Sequence, residues 1–123
     1  MLLVDTSVWV DHLRHTDPAL QEQLRNNNVL IHPMVVGELA MGQFPSRTAF
    51  FADVLKLPVV AHASHREVLE MIEIRRLFGR GIGFIDCHLL ASARIGKVQI
   101  WSRDRRFMTV AAEMGVAFHE TKH

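Results

Sequence analysis

Four acidic side chains in this sequence occupy positions that solubility alone does not explain. Asp5 follows the apolar run "LLV" and precedes two hydroxyl residues, Thr6 and Ser7. Glu38 lies in "VVGELAMG", Asp86 in "FIDCHLLASARIG" and Asp104 in "WSRDRRF". Asp86 is surrounded by Phe84, Ile85, Leu89, Leu90, Ala91 and Ala93, so its helix is expected to be buried over most of its girth. A lone ionised carboxylate in such a setting either carries a large desolvation cost or shifts its pKa upward. Neither Glu38 nor Asp86 has a cation three or four residues away on its own helix, which sets aside the ordinary surface pair. Several such acids at one edge also repel one another. A hard divalent cation, Mg²⁺ or Mn²⁺, relieves both costs, because it prefers carboxylate and water oxygens.

Each acid also has a plainer reading, and the residues alone leave these open. Asp5 could cap a helix beginning near Ser7, and Glu38 could pair with a distant arginine. Asp86 could favour its helix N-terminus through the dipole, and Asp104 could be a turn residue. Asp11 is different: Arg14 and His15 follow it at helical spacing, and a surface pair is expected there.

The elements that must position these acids alternate along the chain. "LLV" (2–4) reads as a buried strand, followed by a helix carrying Val8, Trp9 and His12. Asp17-Pro18 marks a helix N-terminus running to about Asn26. "VLIH" (29–32) is a second strand, and Pro33 opens a helix closed by Gly42 and Pro45. Ser46 to about Leu55 forms another helix, with Phe50, Phe51 and Leu55 facing inward. "LPVV" (57–60) is a weak third strand. Ser64–Glu67 is a capping box for a helix that buries Val68, Leu69, Ile72 and Leu77.

"GRGIG" (79–83) then makes a turn. Phe84 to Ile95 is a helix stopped by Gly96. "VQIW" (98–101) is a fourth strand, Arg105 to Met114 a helix, and "VAF" (116–118) a last strand. The expectation is therefore one α/β domain spanning 1–123, with a central parallel sheet of about five strands and helices on both faces. Ligands bind such sheets beyond the carboxyl ends of the strands, where Asp5 and Asp104 lie.

Charge is uneven although the net value is only +1. Residues 1–74 hold five Lys/Arg against nine Asp/Glu, whereas 75–106 hold eight basic residues and two acids, Asp86 and Asp104. A basic segment suits phosphate contacts. One cysteine, Cys87, excludes an internal disulfide and a Cys-rich zinc site. It neighbours Asp86 but projects about 100° away around the helix, so a core thiol is expected. The histidine pairs 12/15 and 62/65 lack a third nearby ligand in sequence, and packing or surface roles are expected for them. "GRGIG" lacks the Lys-Ser/Thr of a phosphate loop and follows a helix. No apolar run approaches the roughly 20 residues that span a bilayer, and the first charge is an acid where a secretion signal carries bases. No membrane association and a cytoplasmic location are expected.

The segments "LLVDTSVWVDHLR", "HPMVVGELAMG" and "IGFIDCHLLASARIGKVQIWSRDRRF" resemble the PIN domain, and more narrowly the VapC-type toxins of bacterial toxin–antitoxin pairs. The likeness runs through nearly the whole chain in the same order. It implies a five-stranded parallel sheet and a Mg²⁺- or Mn²⁺-dependent endoribonuclease that leaves 5′-phosphate and 3′-hydroxyl ends. The family's acid quartet falls on Asp5, Glu38, Asp86 and Asp104, with supporting hydroxyls at Thr6, Ser7 and Ser102. Asp5 and Asp86 are the principal metal ligands in this reading. Glu38 binds directly or through water, and Asp104 binds a second ion or orients water. Some relatives carry an acid where this chain has Arg106, which leaves Asp104 the least constrained ligand.

Arg80, Arg103, Arg105 and Arg106 are the candidates for holding the RNA backbone. The resemblance also implies a VapB-type antitoxin, received partly on the region around Trp9, and a homodimer. A non-catalytic RNA-binding module of the same fold is the main alternative. A phosphotransfer receiver or haloacid-dehalogenase-type phosphatase is a weaker one, since Asp5-Thr6-Ser7 supplies only one of the two aspartates expected in the latter.

Overall fold

In the computed structural model, which describes residues 1–120, the first apolar run is the middle of the sheet. β1 (Leu2–Val4) is followed by α1 (Thr6–Arg14), α2 (Pro18–Arg25), β2 (Val29–Leu30), α3 (Pro33–Ala40) and α4 (Arg47–Val54). Then come α5 (His65–Arg75), α6 (Phe84–Gly96), β3 (Gln99–Trp101) and α7 (Arg105–Glu113). The strand order is β2-β1-β3, and both pairings are parallel. Leu2, Leu3 and Val4 are all buried. Successive strand residues point to opposite faces, so both faces of β1 are covered.

The sheet has three strands among the described residues, not the expected five. Positions 57–60 and 116–118 each contribute one isolated parallel bridge, Ile31 to Val59 and Ile100 to Ala117. On the first edge, Ile31 donates to the Pro58 carbonyl and Val60 donates back to Ile31. Pro58 has no amide with which to extend that ladder. On the other edge, Ile100 donates to the Val116 carbonyl and Phe118 donates back to Ile100. The five segments keep a single parallel order, but the outer two are too short to be strands.

Two helix N-termini follow their sequence signals, whereas α6 runs through Gly96 and Lys97 takes the left-handed cap conformation. Asp17 accepts hydrogen bonds from the amides of Ala19 and Leu20, and the Ser64/Glu67 capping box is present in both directions. Two inward expectations are corrected. Leu55 and Leu69 are more than half exposed, whereas Val54, Val68 and Met71 are buried. Helical spacing defines a stripe, and tertiary contact decides which edge of it is covered. No helix among the described residues is long and apolar enough to cross a membrane.

Two of the histidines take packing positions. His32 and His88 are buried, and the His65 Nδ1 and His88 Nε2 atoms lie 2.7 Å apart. The His32 ring sits 5.9 Å from His62 and 6.1 Å from His88, centroid to centroid. His32 Nδ1 accepts the Met34 amide and so caps α3. Burial, with His88 and His62 nearby, lowers the His32 pKa to about 4, which keeps the ring neutral.

Candidate active site

Parallel pairing of β1 with β3 brings Asp5 and the segment Ser102–Asp104 to one edge of the sheet. Asp5 occupies the N-cap position of α1, yet its side chain makes no capping bond. Its Oδ2 instead accepts the Ser102 hydroxyl at 2.7 Å and the Ser7 hydroxyl at 3.0 Å. The two serine hydroxyls are 3.2 Å apart. Asp5 is only 7% exposed, and no cation within salt-bridge distance compensates it among the described residues. Two hydroxyls are weak compensation for a nearly buried charge.

Glu38 reaches the same edge from α3, where Thr6 donates to its Oε1 at 2.7 Å. Thr6 directly follows Asp5, so the hydroxyl pair Thr6 and Ser7 steadies one acid each. Asp86 stands in the first turn of α6, and its Oδ2 accepts the Gly83 amide at 3.0 Å. Burial raises the Asp86 pKa, and the charges of Asp5, Asp104 and Glu38 raise it further against the opposing Gly83 hydrogen bond. The charges of the other three acids are thus all felt at Asp86. Asp104 caps α7, accepting the Phe107 amide on Oδ1 at 3.1 Å, while its own amide donates to Ser102 Oγ at 3.1 Å. Its plainer reading as a local structural residue therefore holds for one oxygen.

The donor set suits a hard divalent cation in chemistry: all oxygen, uncompensated, and self-repelling. Among the described residues, no three His, Cys, Asp or Glu side chains are already gathered closely enough to clasp an ion. The carboxylates surround a shared edge without closing on it. Cys87 is buried, and burial together with the Asp86 charge pushes its thiol up to about 11, as suits a core thiol.

The arginines divide. Arg80 makes a two-pronged pair with Glu113, at 2.6 and 2.9 Å. Arg103 binds Asp11 at 2.7 Å, Asp17 at 2.5 Å and Glu120 at 2.9 Å, and its guanidinium lies over the Trp101 ring. The Asp11 partner is therefore Arg103, 92 residues away, and not Arg14 or His15 as its spacing suggested. Arg105 and Arg106 are exposed and have no carboxylate partner among the described residues. The Arg106 side chain crosses directly over Gly81, whose φ of +81° and missing Cβ make room for it.

A family model described as PIN domain matches residues 2–113. The chain is 44% identical over 124 aligned residues to proteins named Ribonuclease VapC32 from two strains of Mycobacterium tuberculosis, covering 98% of each chain. It is also similar to the crystal structure of PAE2754 from Pyrobaculum aerophilum. That likeness has a TM-score of 0.60 at 15% identity and covers 93% of this chain and 94% of the other, which speaks to the fold.

Proposed function

The chain belongs to the PIN-domain family, and on that premise we propose that it is a VapC-type endoribonuclease, the toxin of a toxin–antitoxin pair, hydrolysing RNA phosphodiesters with Mg²⁺ or Mn²⁺. The carrying observation is Asp5, 7% exposed with only the Ser7 and Ser102 hydroxyls on its carboxylate, at the same edge as Glu38, Asp86 and Asp104 and with no cation beside it among the described residues. Such a grouping lowers fold stability and makes sense as a cation-binding edge.

Asp5 and Asp86 would hold the cation, with Glu38 and Asp104 completing the set directly or through water. When bound, the ion lowers the pKa of a water and offsets charge on the phosphate. The protein's own part is orientation: Ser7 and Ser102 fix Asp5, Thr6 fixes Glu38, and the Gly83 amide fixes Asp86. Arg105 and Arg106 follow Asp104 directly, are exposed, and would meet the RNA backbone. We further take residues 1–123 as one such domain acting in the cytoplasm as a homodimer, inhibited by a VapB-type antitoxin. The likeness to VapC32 supports the family part of that reading.

The test is cleavage of single-stranded RNA by protein stripped with EDTA. Activity should return with Mg²⁺ or Mn²⁺ and be absent in Asp5→Asn. RNA binding without cleavage under any divalent ion would favour the non-catalytic module instead.

A further inference from the structure

Arg103 lies between the two residues that most directly shape the acid edge, Ser102 and Asp104, yet its own side chain points into three carboxylates. Asp11 is on α1, Asp17 caps α2 and Glu120 follows the last bridge. The guanidinium is about a quarter exposed, and it stacks 5.6 Å from the Trp101 ring centroid. Burial disfavours its charge, but hydrogen bonds with Glu120, Asp11 and Asp17 outweigh that and raise its pKa. A cation engaged on this scale has little left to offer a phosphate.

The backbone of the same residue faces the other way. Its amide donates to Ser7 Oγ at 3.0 Å, and Ser7 Oγ donates to Asp5 Oδ2. Ser102, one residue earlier, supplies the second hydroxyl on Asp5, and Asp104, one residue later, hangs its amide on Ser102. The segment after β3 is thus fastened at one end by the guanidinium and at the other by the hydroxyl relay to Asp5.

We infer that Arg103 is a positioning residue: its clamp on Asp11, Asp17 and Glu120 fixes the 101–104 segment so that Ser7 and Ser102 hold Asp5, and it does not hold RNA. This inference rests on the proposed nuclease reading for its kinetic consequence, but its consequence for cation binding does not need cleavage. Supporting partners of metal ligands contribute about 10- to 100-fold to affinity or activity. The two roles differ in what freeing the guanidinium does. If it positions, removing a partner harms the site; if it grips RNA, removing a partner liberates it.

The experiment compares wild type, Arg103→Gln, Arg103→Lys and Asp17→Asn. Binding of Mn²⁺ alone is read from the free-ion EPR signal, and steady-state cleavage of single-stranded RNA is measured with Mg²⁺. Arg103→Gln and Asp17→Asn should each weaken Mn²⁺ binding about 10-fold and lower kcat in parallel, with KM for RNA within about two-fold of wild type. Arg103→Lys should recover part of the loss, because an ammonium still meets one carboxylate but lacks the fork. Raised KM in both Arg103 variants, with Mn²⁺ affinity unchanged and Asp17→Asn unimpaired, would overturn the inference.

Thermal melts followed by circular dichroism accompany each variant. If Arg103→Gln is unfolded, Asp17→Asn decides the matter, since asparagine still caps α2. Wild type that binds Mn²⁺ but cleaves no RNA contradicts the nuclease reading alone, and the Mn²⁺ comparison still decides the role of Arg103. Wild type that binds no Mn²⁺ contradicts both.

Discussion

The Ser102 hydroxyl donates to Asp5 Oδ2 at 2.7 Å across 97 residues of sequence. It is the shortest physical link between the end of β1 and the loop after β3, and both partners are buried. Hydrogen bonds to a charged group are worth about 1.5–3 kcal/mol. Ser102→Ala also strips the acceptor from the Asp104 amide. The variant should melt lower by the equivalent of about 2 kcal/mol and cleave RNA about 10-fold more slowly. Urea unfolding and initial rates measure the two effects.

Asp86→Asn should separate stability from activity. The raised pKa of Asp86 means the folded state holds its proton more tightly than the unfolded chain does. That contribution to stability is fully present below the ordinary carboxylate pKa and is lost as pH rises through the raised value. In EDTA at neutral pH the amide, which can still accept from Gly83, should therefore make the fold more stable than wild type. The gap should close as pH falls. Cleavage should drop by at least ~100-fold, because the cation's contribution is several kcal/mol. Melts across pH in EDTA check the first part and a cleavage assay the second.

His32 predicts an acid limit with the opposite sign. Its ring is neutral in the fold, with a pKa lowered from 6.5 to about 4. The unfolded chain takes up a proton first, so stability is held above pH 6.5 and lost progressively down to about 4. At 1.36 kcal/mol per unit this amounts to about 3 kcal/mol. His32→Asn keeps a side-chain oxygen for the Met34 amide and should flatten the stability curve in that window. An unchanged slope between pH 6.5 and 4 in urea denaturation would contradict the assignment.

How much of this was legible in the sequence depends on the range of the interaction. Asp5, Glu38 and Asp86 stood out because each interrupts an apolar or uncompensated local pattern, Asp104 by its place beyond a strand end, and Thr6, Ser7 and Ser102 through the resemblance to the PIN domain. The parallel order of the five apolar segments was readable as well. Whether 57–60 and 116–118 reach strand length was not, since that depends on how far an edge can pair, and Pro58 ends one of them. The engagement of Arg103 was hidden for the same reason. Its partners on α1 and α2 are 92 and 86 residues away, so it looked like a free cation beside Asp104. The mutual approach of His32, His62, His65 and His88 is likewise a product of packing.

RNA contacts should follow the division among the arginines. Arg105→Ala and Arg106→Ala should each weaken RNA binding and reduce the slope of log affinity against log salt by about 1. Arg80→Ala should leave that slope unchanged, because Arg80 is already paired with Glu113. Filter binding across a salt series, using Asp5→Asn protein to prevent cleavage, measures all three.

The most direct measurement of the acid edge is Mn²⁺ binding by wild type, Asp5→Asn and Asp86→Asn, followed by the free-ion EPR signal and competed with Mg²⁺. Wild type should bind Mn²⁺ with displacement by Mg²⁺, and each substitution should weaken binding by about 10-fold or more. Equal Mn²⁺ affinity in all three proteins would mean that these carboxylates do not form a common cation site.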